Sequence, residues 1–238
     1  MAGADLALPG AVRLGRELAT RVLVGGGLAV VALACVAAGG ATFAALIVLA
    51  CVLALREWLA MRAVASRWRL TTGVIYVALP GIALIWLRAQ PSGLWSVLGL
   101  FVLVWSADIG AYVFGKAIGG PKLWRAVSPG KTWAGLAGAI IGACLGIETM
   151  ARVLEFTPNI GGIEGEARSM LVVVHLGWVI MLSLLAVAGD LFESWLKRRA
   201  GVKDSGNLLP GHGGVLDRLD SLVPVAPAVA GAVWLGWL

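Results

Sequence analysis

The sequence predicts an all-α fold: a polytopic transmembrane helical bundle of about seven spans, N-terminus in and C-terminus out. Three observations predict it. Hydrophobic residues make up 60% of the 238 and charged residues 13%, whereas soluble domains are about half apolar and about a quarter charged. Apolar runs recur from near residue 22 to the C-terminus with no Pro/Ser-rich linker between them, so residues 1–238 read as a single integral membrane domain. The basic residues, finally, are distributed asymmetrically between alternate connections.

A spanning helix needs roughly 20 mainly apolar residues. The candidate spans are 22–37, 41–55, 71–87, 93–114, 132–151, 169–189 and 221–238. The first two are short and share a Gly39–Gly40 turn, which predicts a helical hairpin or a tilted pair. With the N-terminus inside, the cytoplasmic segments hold Arg13, Arg16, Arg21, Arg56, Arg62, Arg67, Arg69, Lys116, Lys122, Arg125, Lys131, Lys197, Arg198, Arg199, Lys203 and Arg218. Of the 19 basic residues only Arg88, Arg152 and Arg168 fall on the other side. That is the positive-inside bias. It accounts for the net charge of +6 without nucleic acid as a partner.

The remaining elements follow in order. Arg56 and Glu57 close the second span as a local charge pair or a headgroup contact. The segment 152–168, with Glu155, Glu164, Glu166 and several glycines, reads as an outer loop. Trp58, Trp86, Trp95, Trp133, Trp234 and Trp237 fall near span ends, as an interfacial aromatic belt would place them. Cys35, Cys51 and Cys144 lie inside apolar runs without CxxC spacing, which argues against disulfides and zinc. His175, in mid-span, reads as a buried, satisfied histidine.

Two cytoplasmic loops, each with the helix ends beside it, are richer in polar residues than a connector requires. The larger, 189–221, holds Asp190, Glu193, Asp204, Asp217 and Asp220 beside a GHGG turn at 211–214. If the sixth span continues as a helix, Asp190, Ser194 and Lys197 share one face. Asp217 and Asp220 stand three apart at the start of the last span. Carboxylates emerging from two helix ends suit Mg²⁺, which takes one or two of them plus substrate phosphates. The metal ligands are therefore expected to be Asp190 and Asp217, with Asp220 and Asp204 next in rank. The glycine amides can approach a phosphate, and Lys197, Arg198, Lys203 and Arg218 can neutralise it. The second stretch, 105–135, begins inside the fourth span. Asp108 sits there in an apolar run, where an ionisable side chain is costly and faces a cavity or a partner. Ser128, Lys131 and Thr132 precede the fifth span, at a position suited to an anion or to a topological anchor.

The spacing Ser194-Trp-Leu-Lys197-Arg198, Lys203-Asp204, His212-Gly213-Gly214, Asp217-Arg218-Leu-Asp220 resembles the signature of the phosphatidate cytidylyltransferase (CDP-diacylglycerol synthase) family. Asp108, Ala111-Tyr112, Gly115, Gly119 and Ser128-Pro129 through Lys131-Thr132-Trp133 extend the resemblance over about 105–221. Gly130 and Ala134 depart from the family pattern, which commonly has lysine and glutamate there. The resemblance implies transfer of the cytidylyl group of CTP to phosphatidic acid, giving CDP-diacylglycerol and pyrophosphate. It implies Mg²⁺, alone or with a second cation, and a membrane-embedded enzyme whose site faces the cytoplasm, with a homodimer as one open possibility of assembly. It assigns catalysis to Asp190, Lys197, Lys203, Asp204, Asp217, Arg218 and Asp220. Substrate binding falls to Asp108, Tyr112, Ser128, Lys131, Thr132, Ser194, Arg198, His212, Gly213 and Gly214. The alternative is a lipid- or polyprenol-kinase-like enzyme, which releases a nucleoside diphosphate instead of pyrophosphate. A transporter would need polar residues deep in several spans, and only Asp108 and His175 qualify.

Overall fold

A computed structural model describes residues 10–156, apart from Val64, and residues 176–237, apart from Pro210 and His212. Helices form at all seven places the hydropathy pattern marks. They are α1 (Gly10–Ala38), α2 (Gly40–Met61), α3 (Ser66–Ala89), α4 (Gly93–Ala117), α5 (Trp133–Phe156), α6 (Leu176–Arg199) and, after a single turn α7 (Leu216–Leu219), α8 (Leu222–Trp234). Five of them, α2 through α6, contain segments long and apolar enough to cross a bilayer. The apolar part of α1, Val22–Ala38, is shorter, and so is α8. At about 1.5 Å per residue, α8 is about 20 Å long, less than the ~30 Å hydrocarbon core. The chain is a polytopic, all-α membrane protein. His175, the segment 157–168 and the first part of the expected sixth span lie outside the described residues.

Several helices outrun the apolar segments that reveal them. Charged residues lower hydropathy without breaking a helix, so α1 begins at Gly10, and α2 continues through Arg56 and Glu57 to Met61. The α1–α2 turn uses Gly39 at φ 64°. A Cβ at Gly39 would strike the guanidinium of Arg88. Arg88 reaches across from α3 to donate from Nε to the Val36 carbonyl (2.7 Å) and from Nη2 to that of Ala37 (3.2 Å). It thereby satisfies carbonyls that the end of α1 leaves open.

The central packing unit is α4 against α5. Gly110, Gly138, Gly142 and Gly146 let the two backbones meet: a Cβ at Gly110 would overlap the Gly138 carbonyl, and one at Gly142 the Ser106 carbonyl. Small residues of this kind are how membrane helices gain van der Waals contact where no hydrophobic force separates protein from lipid. The main core joins α1 to α6 and α8 through residues such as Phe43, Leu87, Val97, Leu182 and Val225. A second cluster, Ala54, Trp58, Met61, Val77, Leu196 and Leu216, lies beneath α7.

Two expectations are corrected here. Trp58 does not belong to an interfacial belt: it is 5% exposed, stacks on Tyr76 at 4.9 Å and donates its indole N–H to the Arg69 carbonyl at 2.9 Å. The α4–α5 connection is not a plain loop but an antiparallel hairpin, β1 (Lys122–Trp124) with β2 (Ser128–Thr132), pairing Lys122 with Thr132 and Trp124 with Ser128. A polar connection that returns directly into a helix satisfies its backbone by pairing with itself.

Candidate active site

The C-terminal half of α4, strand β2, the first turn of α5, the last turns of α6 and the stretch 204–221 meet at one end of the bundle. Between them lies a cavity of about 780 Å³, within the ~300–1,000 Å³ usual for small-molecule sites. Among the residues lining it are Asp108, Tyr112, Lys131, Thr132, Asp190, Lys197, Asp204, Asp217, Arg218 and Asp220. Ten of the expected site residues are thus brought to one volume from four of these elements, α4, β2, α6 and the stretch 204–221.

The helix α6 does continue past the apolar run, to Arg199. Ser194 lies one turn from Asp190, its hydroxyl donating to Asp190 Oδ1 at 3.4 Å. One turn further, Lys197 Nζ reaches Asp217 Oδ1 at 2.6 Å and Glu193 Oε1 at 3.2 Å. These three side chains are 13%, 6% and 0% exposed in the order Lys197, Asp217, Glu193. The other oxygen of Asp217, Oδ2, accepts the amides of Ser205 (3.0 Å) and Gly214 (2.8 Å). Burial alone would raise the Asp217 pKa, but the hydrogen bonds from Lys197 and the Gly214 amide more than offset it and hold the group below the ordinary carboxylate range.

Asp190 and Asp220 form the other half. Lys131, carried by β2, places Nζ 2.5 Å from Asp190 Oδ2 and so ties the hairpin to α6. Asp220 accepts the amide of Ser221 at 2.7 Å. Burial, then the negative charges of Asp190 and Asp108, push its pKa up to about 7, against the pull of the Ser221 amide and Lys197. Three carboxylates from α4, α6 and the α7–α8 junction thus act on one another across the cavity. Among the described residues no three acidic, His or Cys side chains are gathered into a preformed metal cage. The donor set nonetheless suits Mg²⁺, which needs only one or two carboxylates when phosphate oxygens complete its shell.

Other expected residues stand outside the cavity. The Arg198 Nε donates to the Val127 carbonyl at 3.3 Å, bracing the hairpin. Ser128 pairs with Trp124 in that hairpin. Lys203 is exposed to solvent. Thr132 lines the cavity but also caps α5, its Oγ1 accepting the Gly135 amide at 3.0 Å. Gly213 (φ 82°) bridges back to Leu209, and Gly214 is buried. His212 lies outside the described residues.

Glu57 departs from the charge-pair or headgroup role expected for it. Far from a headgroup contact, it is 5% exposed and bonded to residues on both sides of the GHGG turn. The signal was present: an acid inside an apolar helix faces a partner, and α2 does not end where its hydropathy falls.

A profile of the cytidylyltransferase family matches residues 65–235. The chain belongs to the cytidylyltransferase family. Cytidylyltransferase relatives include the phosphatidate cytidylyltransferase of Brucella suis, 42% identical over 160 residues, covering 65% of this chain and 53% of that protein. That of Rickettsia bellii is 39% identical over 187 residues, covering 78% and 77%. That of Pseudomonas aeruginosa is 39% identical over 174 residues, covering 72% and 60%. The matched region with the Brucella protein spans about half that relative's length. The family segment contains every lining residue named above and excludes Glu57.

Proposed function

We propose that this cytidylyltransferase transfers the cytidylyl group of CTP to phosphatidic acid, releasing pyrophosphate and leaving CDP-diacylglycerol in the membrane. The observation that carries the reading is the cavity: carboxylates and the cations Lys131, Lys197 and Arg218 line one volume at the end of an apolar bundle. The names of the relatives support it. An oxygen of the lipid phosphate forms a bond to the α-phosphorus of CTP. The bond from that phosphorus to the bridging oxygen breaks, and pyrophosphate leaves with the electron pair. Little covalent work falls to the protein, so catalysis is positioning and charge neutralisation. Lys131, Lys197 and Arg218 supply positive charge around the phosphates. Mg²⁺, when bound, would neutralise charge on the triphosphate oxygens. Asp190 and Asp220 would hold it, rather than the expected Asp190 and Asp217, because both Asp217 oxygens are engaged by Lys197 and by the Ser205 and Gly214 amides. Asp108, at cavity depth on α4, keeps the site polar inside an apolar bundle.

On this reading the site faces the cytoplasm, where CTP is; the positive-inside distribution of Lys and Arg supports that orientation. The test is the purified chain with α-labelled CTP and phosphatidic acid vesicles, scored for a labelled CDP-lipid. Product formation dependent on a divalent cation is expected; label appearing only in a nucleoside diphosphate would refute the reading. Cysteines introduced at 155–166 should react only with reagent outside the cytoplasmic membrane. Labelling from the cytoplasm alone would refute the orientation.

A further inference from the structure

We infer that Glu57 is a positioning residue for the site, an N-cap supplied from α2 to a catalytic stretch about 150 residues away. Its Oε1 accepts the Val215 amide at 3.0 Å. Its Oε2 accepts the Leu216 amide and the Ser205 hydroxyl, both at 2.9 Å. Val215 and Leu216 open α7, a helix of 4 residues whose first amides have no intrahelical acceptor. A side-chain oxygen ordinarily satisfies such donors from the adjacent residue. Here the preceding residues are glycines and a valine, which offer none, and a carboxylate from another helix takes their place.

The stretch is shaped around that carboxylate. A Cβ on Gly206 would come 2.7 Å from Glu57 Oε1, and one on Gly214 would collide with both Ser205 Oγ and Glu57 Oε2. The GHGG glycines thus have a job distinct from approaching phosphate: Gly214 makes room for Glu57. Asp217 accepts the Ser205 and Gly214 amides from the other side. Two carboxylates, one from α2 and one from α7, therefore bind four amides and a hydroxyl of residues 205–216. Together they fix where Asp204, Asp217 and Arg218 stand on the cavity wall. Glu57 does not line the cavity, so it acts through those residues. It also lies before the segment the family profile matches, which makes α2 part of the working unit.

The kinetic arm of the test rests on the proposed cytidylyltransferase activity; the structural arm does not. The full chain in nanodiscs is compared with Glu57→Gln, which removes one acceptor, and with Gly206→Ala, which displaces an unaltered Glu57. Hydrogen–deuterium exchange is read on peptides covering 203–219 and on those of α4 and α5. Exchange at 203–219 is expected to quicken by roughly tenfold or more in both variants while α4 and α5 stay unchanged. The kcat for CDP-lipid formation should fall by about 10–100-fold, the scale of one lost charge-assisted hydrogen bond, with KM for phosphatidic acid within about threefold. Glu57→Ala should be worse than Glu57→Gln. Unchanged exchange at 203–219 in both variants, or an equal rise in every helix, overturns the inference. A wild-type chain that turns over no CTP defeats the functional reading instead, and the exchange result still decides the role of Glu57.

Discussion

Lys197→Met gives the sharpest test of the electrostatic design. Methionine fills much the same volume, so the packing of α6 is preserved and the charge is removed. Lys197 is the shared cation of two buried carboxylates, at 2.6 Å from Asp217 and 3.2 Å from Glu193. Breaking a buried pair by deleting one partner costs about 3–5 kcal/mol, because the remaining charge is left uncompensated. At about 2–4 °C per kcal/mol for a chain of this size, the melting temperature should fall on the order of 10 °C at pH 8. The pH dependence has a definite sign. With Lys197 present, Asp217 is held below its ordinary value. It therefore contributes stability above the unfolded value of about 3.9, and loses it only as pH falls through the lower folded value. Without Lys197, burial dominates and the group takes up a proton more readily. The deficit of the variant should then shrink between pH 8 and pH 5. Thermal unfolding of both proteins in the same detergent, without nucleotide or divalent cation, measures it. A variant melting within about 2 °C of wild type at pH 8, or a deficit that grows on acidification, would refute the argument.

Lys131→Gln should lower kcat/KM for CTP or phosphatidic acid by about 10–100-fold, the loss of a charged hydrogen bond, whereas a topological anchor would leave both constants unchanged. Asp220→Asn should melt above wild type at pH 8 without ligands, because the native carboxyl, pushed up to about 7, is costly to keep ionised there. That advantage should close towards pH 5, and its absence at pH 8 would remove burial as the cause. Gly214→Ala, whose methyl would occupy the space of Ser205 and Glu57, should lower the melting temperature and abolish turnover, which thermal scans and the CDP-lipid assay report separately.

Much of the fold was legible in the sequence because lipid imposes a simple rule: a helix must be apolar over its buried length. What the rule does not mark is where a helix continues into water. The ends of α1 and α2 were missed for that reason, and the role of Glu57 with them. The hairpin at 122–132 carries no alternating apolar pattern and is held by its own pairing and by Arg198. In the site, Asp108 was legible because an acid in an apolar run has few explanations, and Asp190 with Lys197 because helical periodicity aligns them. The pairings Lys131–Asp190 and Lys197–Asp217 join residues that only the tertiary fold brings together. The spacing of polar residues identified the participants; it carried no information on who holds whom.

The glycine contacts between α4 and α5 have a mechanical consequence. With backbone resting on backbone at Gly110, Gly138 and Gly142, neither helix can slide or rotate past the other without a carbonyl striking a Cα. The pair is a keyed joint, and the wall of the cavity that bears Asp108 and Thr132 moves as a single plate. Any change in the shape of the cavity must then come from parts that are not keyed to it. The facing wall is set by different means: Asp217 and Arg218 stand where the carboxylates of Glu57 and Asp217 hold the amides of Ser205, Gly214, Val215 and Leu216, so one side of the cavity is fixed by backbone contact and the other by hydrogen bonds.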